Sequence, residues 1–281
     1  MIPPALTSRR DALLGAGAFS LALAASPAFA SSAMAEPAPL GDIEGYLALR
    51  FAGPGRTGWW INRATVFAMV LGRRAISLFD VIGLGRDSFE VLPDGSYHLR
   101  FDECGWYCAP GTTEPLDTMT SPINGRKISP QHYRSPSDSF LRDGQLVMAR
   151  PVPSGVEIES RRGRLMADAD QVWVTDDHFV RSPRKVAAAV LATNPAAGWN
   201  VQTSLATYCA RRSDLVAHRQ GWVPATCAYQ TLASWRPWLD ADDSPGVMSW
   251  RMHGTKISSQ AEIPEPLLGL VRAQHAALLQ P

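Results

Sequence analysis

Between a Pro93-Asp94-Gly95 turn and Cys108 runs the segment YHLRFDECGWYC, which holds the residue best placed to do chemistry, Glu103. At a period of two, Tyr97, Leu99, Phe101, Glu103, Gly105 and Tyr107 share one face of a strand. His98, Arg100, Asp102, Cys104, Trp106 and Cys108 share the other. The first face is aromatic and apolar except for the single carboxylate. Burying an isolated charge is costly, so Glu103 must be paired, protonated or wet. In a barrel interior, desolvation would raise its pKa into the range that suits a general acid or base. The competing structural reading is an ion pair with Arg63 or Arg100, or a hydrogen bond to a Trp or Tyr.

A second group, His132-Tyr133-Arg134, lies in a polar stretch of the kind where binding residues collect. His132 would relay a proton near neutral pH, Tyr133 would donate a hydrogen bond, and Arg134 would hold a carboxylate or carbonyl. The plain alternative is an exposed loop. Asp176-Asp177-His178 pairs acid with imidazole, but neighbours in an extended chain point apart and no second ligand pair is evident. No HExxH and no Cys/His constellation with ligand spacing occurs, so no metal site is assigned. Gly83-Leu84-Gly85 lacks the third glycine of a dinucleotide loop. Gly-x-Ser-x-Gly and Cys-x-x-Cys-His are also absent, so neither a nucleophile elbow nor c-type haem is expected. No cofactor is assigned.

These residues need elements to carry them, and the elements begin after an export segment. Arg9-Arg10 precede a mildly apolar, Ala/Gly-rich run that ends at Ala28-Phe29-Ala30, a small-x-small cleavage site, with Ala33-Met34-Ala35 as a second. Paired arginines before a weak hydrophobic run read as a twin-arginine signal over residues 1–35, recognised by the Tat export machinery. The run is too weakly apolar for a lasting membrane anchor. The expected mature chain, residues 36–281, is one β-rich domain, periplasmic or secreted. The full chain carries a formal charge of +1, and losing Arg9, Arg10 and Asp11 makes it neutral. No basic patch stands out, which argues against nucleic acid and anionic membrane surfaces as partners. Four cysteines meet an oxidising compartment. Cys104 and Cys108 are too far apart on a strand to bond, whereas Cys209 and Cys227 would either pair or remain buried free thiols.

A short helix is expected over Ile43 to Phe51, then strands closed by turn chemistry: Trp59 to Leu71, Ala75 to Ile82, a turn at Gly83 to Asp87, Ser88 to Leu92, and the segment beginning at Tyr97. Ser129 to Asp143 reads as a loop. Strands resume at Gln145, Val156, Gln171, Asn200, Ala225 and Val247, with an Ala-rich helix from Arg184 to Ala192 and a final helix reaching Leu279. Turns without alternating helices indicate an antiparallel meander, and so many strands must hide their edges. The fold class is mainly β: an antiparallel barrel or strongly curled sheet with short helices and a C-terminal helix, a sandwich being the next choice.

The order of several motifs resembles the bacterial and fungal family catalogued as domain of unknown function 1838, whose members commonly carry an export signal. The resemblance covers nearly all of the mature chain. It rests on Trp59-Trp60, Phe67, the Pro93-Asp94-Gly95-Ser96-Tyr97 turn, Leu99-Arg100, Glu103, Tyr107 and Thr112-Thr113-Glu114-Pro115-Leu116-Asp117. Trp235-x-x-Trp238-Leu239, Pro245-Gly246, Ser249-Trp250-Arg251 and Gly254-x-Lys256 complete it. Ser121, Asn124 and Arg126 depart from the family's Asn-Pro-x-Thr-Gly-Glu pattern. The resemblance implies compartment and fold; the family name carries no activity.

Two functions from different classes follow. The first is an exported barrel that binds a small, largely apolar or aromatic molecule. Trp59, Trp60, Tyr97, Phe101 and Tyr107 would be its walls, with Glu103, Arg63 or Arg134 as polar anchors. The second is a cofactor-independent lyase, isomerase or hydrolase on the same scaffold, with Glu103 and His132 as acid and base and Tyr107 or Arg134 stabilising oxyanion charge. A structural envelope protein with a solid core is the weaker third.

Overall fold

Residues 41–149, 153–218 and 221–280 are described by the structure, a computed structural model, and the export segment lies outside them. Helix α1 (Asp42–Arg50) precedes three long strands, β1 (Gly58–Val70), β2 (Ile76–Val91) and β3 (Tyr97–Cys108). A small hairpin, β4 (Met119–Thr120) and β5 (Lys127–Ile128), leads to β6 (Tyr133–Arg142), β7 (Gln145–Met148), β8 (Glu157–Arg162), β9 (Met166–Asp168) and β10 (Gln171–Pro183). Helix α2 (Ala188–Thr193), β11 (Trp199–Arg211), helix α3 (Arg212–Ala217), β12 (Thr226–Ala233), β13 (Gly246–Ile257) and helix α4 (Glu265–Gln274) complete the chain.

All strands but β4 and β5 join one antiparallel sheet in the order β7-β6-β3-β2-β1-β13-β12-β11-β10-β8, with β9 also on β10. The sheet curls until it nearly closes as a barrel. Period-two alternation then sorts side chains into an inner and an outer set. Trp60, Asn62, Ala64, Val66 and Ala68 of β1 are buried inside, whereas Arg63 is exposed outside.

Three expectations change. Residues 129–143 are not a loop: β6 pairs with β3 from Gly105↔Tyr133 to Tyr97↔Leu141. Its Ser and Pro content mimics a loop because Ser135, Ser137 and Ser139 separate its inward apolar residues. Gly83 to Asp87 is no turn either, since β2 runs unbroken through it. Gly83 and Gly85 are strand glycines whose missing side chains leave room for neighbours. An added Cβ on Gly85 would stand 3.1 Å from the Phe101 ring. The Ala-rich helix is also shorter than Arg184 to Ala192 and begins only at Ala188.

Apolar packing closes both ends of the barrel and covers part of its outside. At one end α1 inserts Tyr46, Leu47, Leu49 and Phe51 among Trp60, Phe89, Leu99, Val174 and Val223. At the other, Trp235, Leu239 and Ala241 pack with Ile123 and Ile128 on Val66, Phe79, Tyr107 and Trp250. Outside, α4 lays Leu267, Leu268 and Val271 over Trp59, Ile82, Leu84, Cys104 and Trp106.

Lys256 fastens α1. Its buried ammonium donates to the carbonyls of Ala48 (2.9 Å), Leu49 (3.3 Å) and Phe51 (2.7 Å), where the helix's own carbonyls run out of partners. Asp87 balances it from β2 and accepts from Trp60 Nε1 at 2.8 Å. Burial pushes Lys256 below and Asp87 above their ordinary ranges, and the charge of each pulls the other back.

All four cysteines are free. Tyr208 is paired with Cys227 and Cys209 with Thr226, so Cys209 points outward and Cys227 inward, and they cannot bond. Burial pushes Cys104 and Cys227 up to about 12 and Cys108 up to about 11, which leaves them inert as nucleophiles. A thiol reagent is therefore expected to label at most Cys209, the half-buried one, in the folded protein, and all four cysteines in denaturant. Labelling of Cys104 or Cys227 without unfolding would contradict this packing.

Candidate functional site

Glu103 lies on the inner wall, where β2 and β3 meet. Its carboxyl accepts from Asn62 Nδ2 at 2.7 Å and faces the Tyr133 hydroxyl. Among the described residues no cation pairs with it, because Arg63 and Arg100 are exposed on the outer face. Burial pushes its pKa from 4.5 up to about 7, and Asn62 and Tyr133 pull only partly the other way. Near neutral pH this carboxyl is poised between its two forms.

The wall around it is kept clear of side chains. Gly83 lies directly across from Gly105, and Gly85 from Glu103. Tyr133 occupies the space over Gly105: a Cβ there would fall 2.6 Å from the Tyr133 ring and hydroxyl. Gly105→Ala is thus expected to displace Tyr133 from Glu103 and destabilise the protein by about 1–3 kcal/mol. Denaturant unfolding measures the loss, and unchanged stability would show that the ring has somewhere else to go.

At this level the sheet is open along β6, whose residues 133–138 pair only with β3. Ser135 and Ser137 stand beside Glu103 and Phe101 on the same inner face, yet both are exposed. Phe101, Glu103, Tyr133, His178, Tyr208 and Tyr229 also point inward and keep part of their surface accessible. On the far wall, the Ser204 hydroxyl is 3.0 Å from Tyr229 Oη and 2.9 Å from Thr231 Oγ1, and His178 Nδ1 is 2.6 Å from Ser160 Oγ. Burial, with Arg50 nearby, lowers the pKa of His178, which favours a neutral ring. The inner face at this level thus presents tyrosines, serines, Phe101, His178 and the Glu103 carboxyl, with apolar packing at both ends and the Arg50, Asp176, Lys256 and Asp87 side chains set within the α1 end. Two depressions, of about 370 and 400 Å³, lie beside charged side chains: the first is lined by Arg86, Arg100 and Asp102 together with Phe101 and Ser137, the second by Arg63, Asp80 and Arg251. Glu103 lines neither.

The residues singled out from the sequence separate into two sets. Glu103, Phe101, Tyr97, Trp60 and Tyr107 are on the inner face. Tyr97 sits near the α1 end against Phe89, and Trp60 is held by Asp87. Tyr107 is buried in the opposite end among Phe79, Trp238 and Trp250, with burial raising its hydroxyl to about 12 against the pull of Arg236. Trp59, Arg63 and Arg134 are on the outer face and line no lumen. Trp59 is covered by α4, Arg63 is solvated, and Arg134 pairs with Asp102 at 2.5 Å. All three follow from alternation: each is one residue out of step with an inward neighbour, Trp60, Asn62 or Tyr133.

His132 is not brought onto the face of Glu103. Its Nδ1 accepts from the Tyr107 backbone N–H at 3.2 Å, and its ring stacks on Tyr107. Burial lowers its pKa, against the pull of Asp117. The partner on Glu103's face is Tyr133. Tyr133 takes the hydrogen-bonding role expected of it within His132-Tyr133-Arg134, and the β6 register, which the sequence does not reveal, brings it rather than His132 to Glu103. Asn62 carried a signal of its own, as a polar residue on an otherwise apolar strand face. Among the described residues, no group of three His, Cys, Asp or Glu is gathered as a metal site would need.

No curated protein matches this sequence. Among solved structures, the chain is similar to a Bacteroides fragilis protein described as a "putative exported protein with YmcC-like fold". They share 8% identity and a TM-score of 0.21 over 73% of this chain and 97% of that one. At that score the likeness carries no argument. The family model described as "Protein of unknown function (DUF1838)" matches residues 56–279, which contain Asn62, Glu103, Tyr133 and every strand of the barrel. The chain belongs to this family.

Proposed function

We propose that the lumen binds a small, largely apolar or aromatic molecule, anchored by the Glu103 carboxyl. One observation carries this reading: inward-facing Ser135 and Ser137 remain exposed beside a Glu103 that has no cation. A solid core would cover those serines and would not hold an unpaired carboxylate. Tyr133, Phe101, Tyr208 and Tyr229 supply aromatic surface, the usual lining of a small-molecule site.

The mature protein, from about residue 36, acts outside the cytoplasm after twin-arginine export. Four free thiols, three of them fully buried, suit a chain that folds before it meets an oxidising compartment. Native mass spectrometry of the protein exported by its own host tests both points. A retained small molecule, lost in Glu103→Gln, supports the binding reading. Protein that is empty in both forms contradicts it, and a chain whose intact mass still includes residues 1–35 would contradict the export route.

A second reading, a cofactor-independent acid–base enzyme, is favoured by the near-neutral pKa of Glu103 beside Tyr133. Tyr133 would then take the partner role expected of His132. Chemical change of the retained molecule on prolonged incubation, absent in Glu103→Gln, would favour this second reading over storage or transport.

A further inference from the structure

The lumen has a charged floor as well as a carboxyl on its wall. Arg50, the last residue of α1, reaches up between opposite walls. Its guanidinium carbon lies 6.0 Å from the Phe101 ring of β3 and 5.6 Å from the Tyr208 ring of β11, strands five places apart in the sheet order. Nη1 donates to the Tyr46 hydroxyl at 2.6 Å and to Asp176 Oδ2 at 3.2 Å. Its Nε and Nη2 make no hydrogen bond among the described residues, and the side chain keeps 17% of its surface accessible. The guanidinium thus stands among the Tyr46, Phe51, Phe101 and Tyr208 rings at the α1 end of the interior.

Charge at this end is unbalanced. Among the described residues, the three cations Arg50, Arg162 and Lys256 stand beside two acids at this end, Asp176 and Asp87. Cys227, on the inner face of β12, lies within electrostatic reach of both Arg50 and Glu103. Phe101 and Glu103 are two residues apart on one strand, about 7 Å. From the guanidinium, past Phe101, to the carboxyl is therefore about the span of one substituted benzene ring. Arginine's planar fork suits a carboxylate, and aromatic walls suit a ring.

We propose that the lumen takes a small aromatic acid, its ring beside Phe101, its carboxylate on the free edge of Arg50, and an uncharged hydrogen-bonding group at Glu103 and Tyr133. This rests on the lumen being a binding site and names the class of molecule it takes.

The test compares two probes of equal size on the unaltered mature protein: 4-hydroxybenzoate and the neutral 4-hydroxybenzyl alcohol, followed by calorimetry at pH 7. The acid is expected to bind at least about tenfold more tightly, the worth of one charge-assisted contact. Arg50→Gln should erase that preference, bringing the affinities for the two probes together. Because Arg50 also steadies α1, Arg50→Lys, which keeps the charge, serves as a second variant and should retain part of the preference. Equal affinity for the two probes overturns the acid while leaving a lumen site intact. Binding of neither overturns the acid and the lumen reading together.

Discussion

Glu103→Gln is expected to raise the melting temperature at pH 8 and to leave it unchanged near pH 4. The sign follows from the direction of the shift. The folded-state pKa is about 7 against 4.5 for an exposed glutamate, so the folded protein holds its proton more tightly than the unfolded chain. The neutral carboxyl costs nothing extra below pH 4.5. As pH rises through 7, the folded state must carry a buried, unpaired charge, and stability falls. The full loss is about 3 kcal/mol, or about 6 °C for a chain of this size. Glutamine keeps an acceptor for Asn62 without the charge, so it removes the pH dependence along with the penalty. Thermal melts of both proteins from pH 4 to 9 measure it. Parallel curves would show that Glu103 is compensated by a group outside the described residues.

Lys256→Met should lower stability by about 3–5 kcal/mol, the cost of breaking a buried charge from its partners. The ammonium satisfies three carbonyls at the end of α1 and balances Asp87. Methionine fills similar volume but leaves those carbonyls without a donor and Asp87 without its balancing charge. The helix that floors the lumen would loosen, and Arg50 with it. Denaturant unfolding is the measure: the midpoint should fall with little change in slope. A loss below 1 kcal/mol would show that water replaces the lysine and that α1 is held by its apolar contacts alone.

Much of the barrel was legible because alternation and turn chemistry are local. The faces of β3 follow from its own twelve residues, and so does the isolation of Glu103 on an apolar face. Partners across the sheet were not legible, because they depend on register. Asn62 is forty-one residues from Glu103, and it reaches the carboxyl only when Asn62 lies across from Gly83, and Gly83 across from Gly105. The β6 strand is hard to read because Ser135, Ser137 and Ser139 separate its two inward apolar residues, Tyr133 and Leu141, so the apolar alternation that marks a strand is interrupted. Arg50 was invisible as a site residue for a similar cause. Nothing at the end of a short helix foretells that the helix enters a barrel and points its last side chain along the axis.

The account turns on Glu103 being unpaired, inside and reachable by water. Carbon-13 NMR of glutamate-labelled mature protein titrated from pH 3 to 9 tests this directly, with Glu103→Gln assigning the signal. One side-chain carboxyl should titrate near pH 7 and vanish in the variant. A Glu103 signal that titrates near 4.5 with the surface glutamates would mean a charged, well-solvated or paired carboxylate, and would contradict the lumen described above.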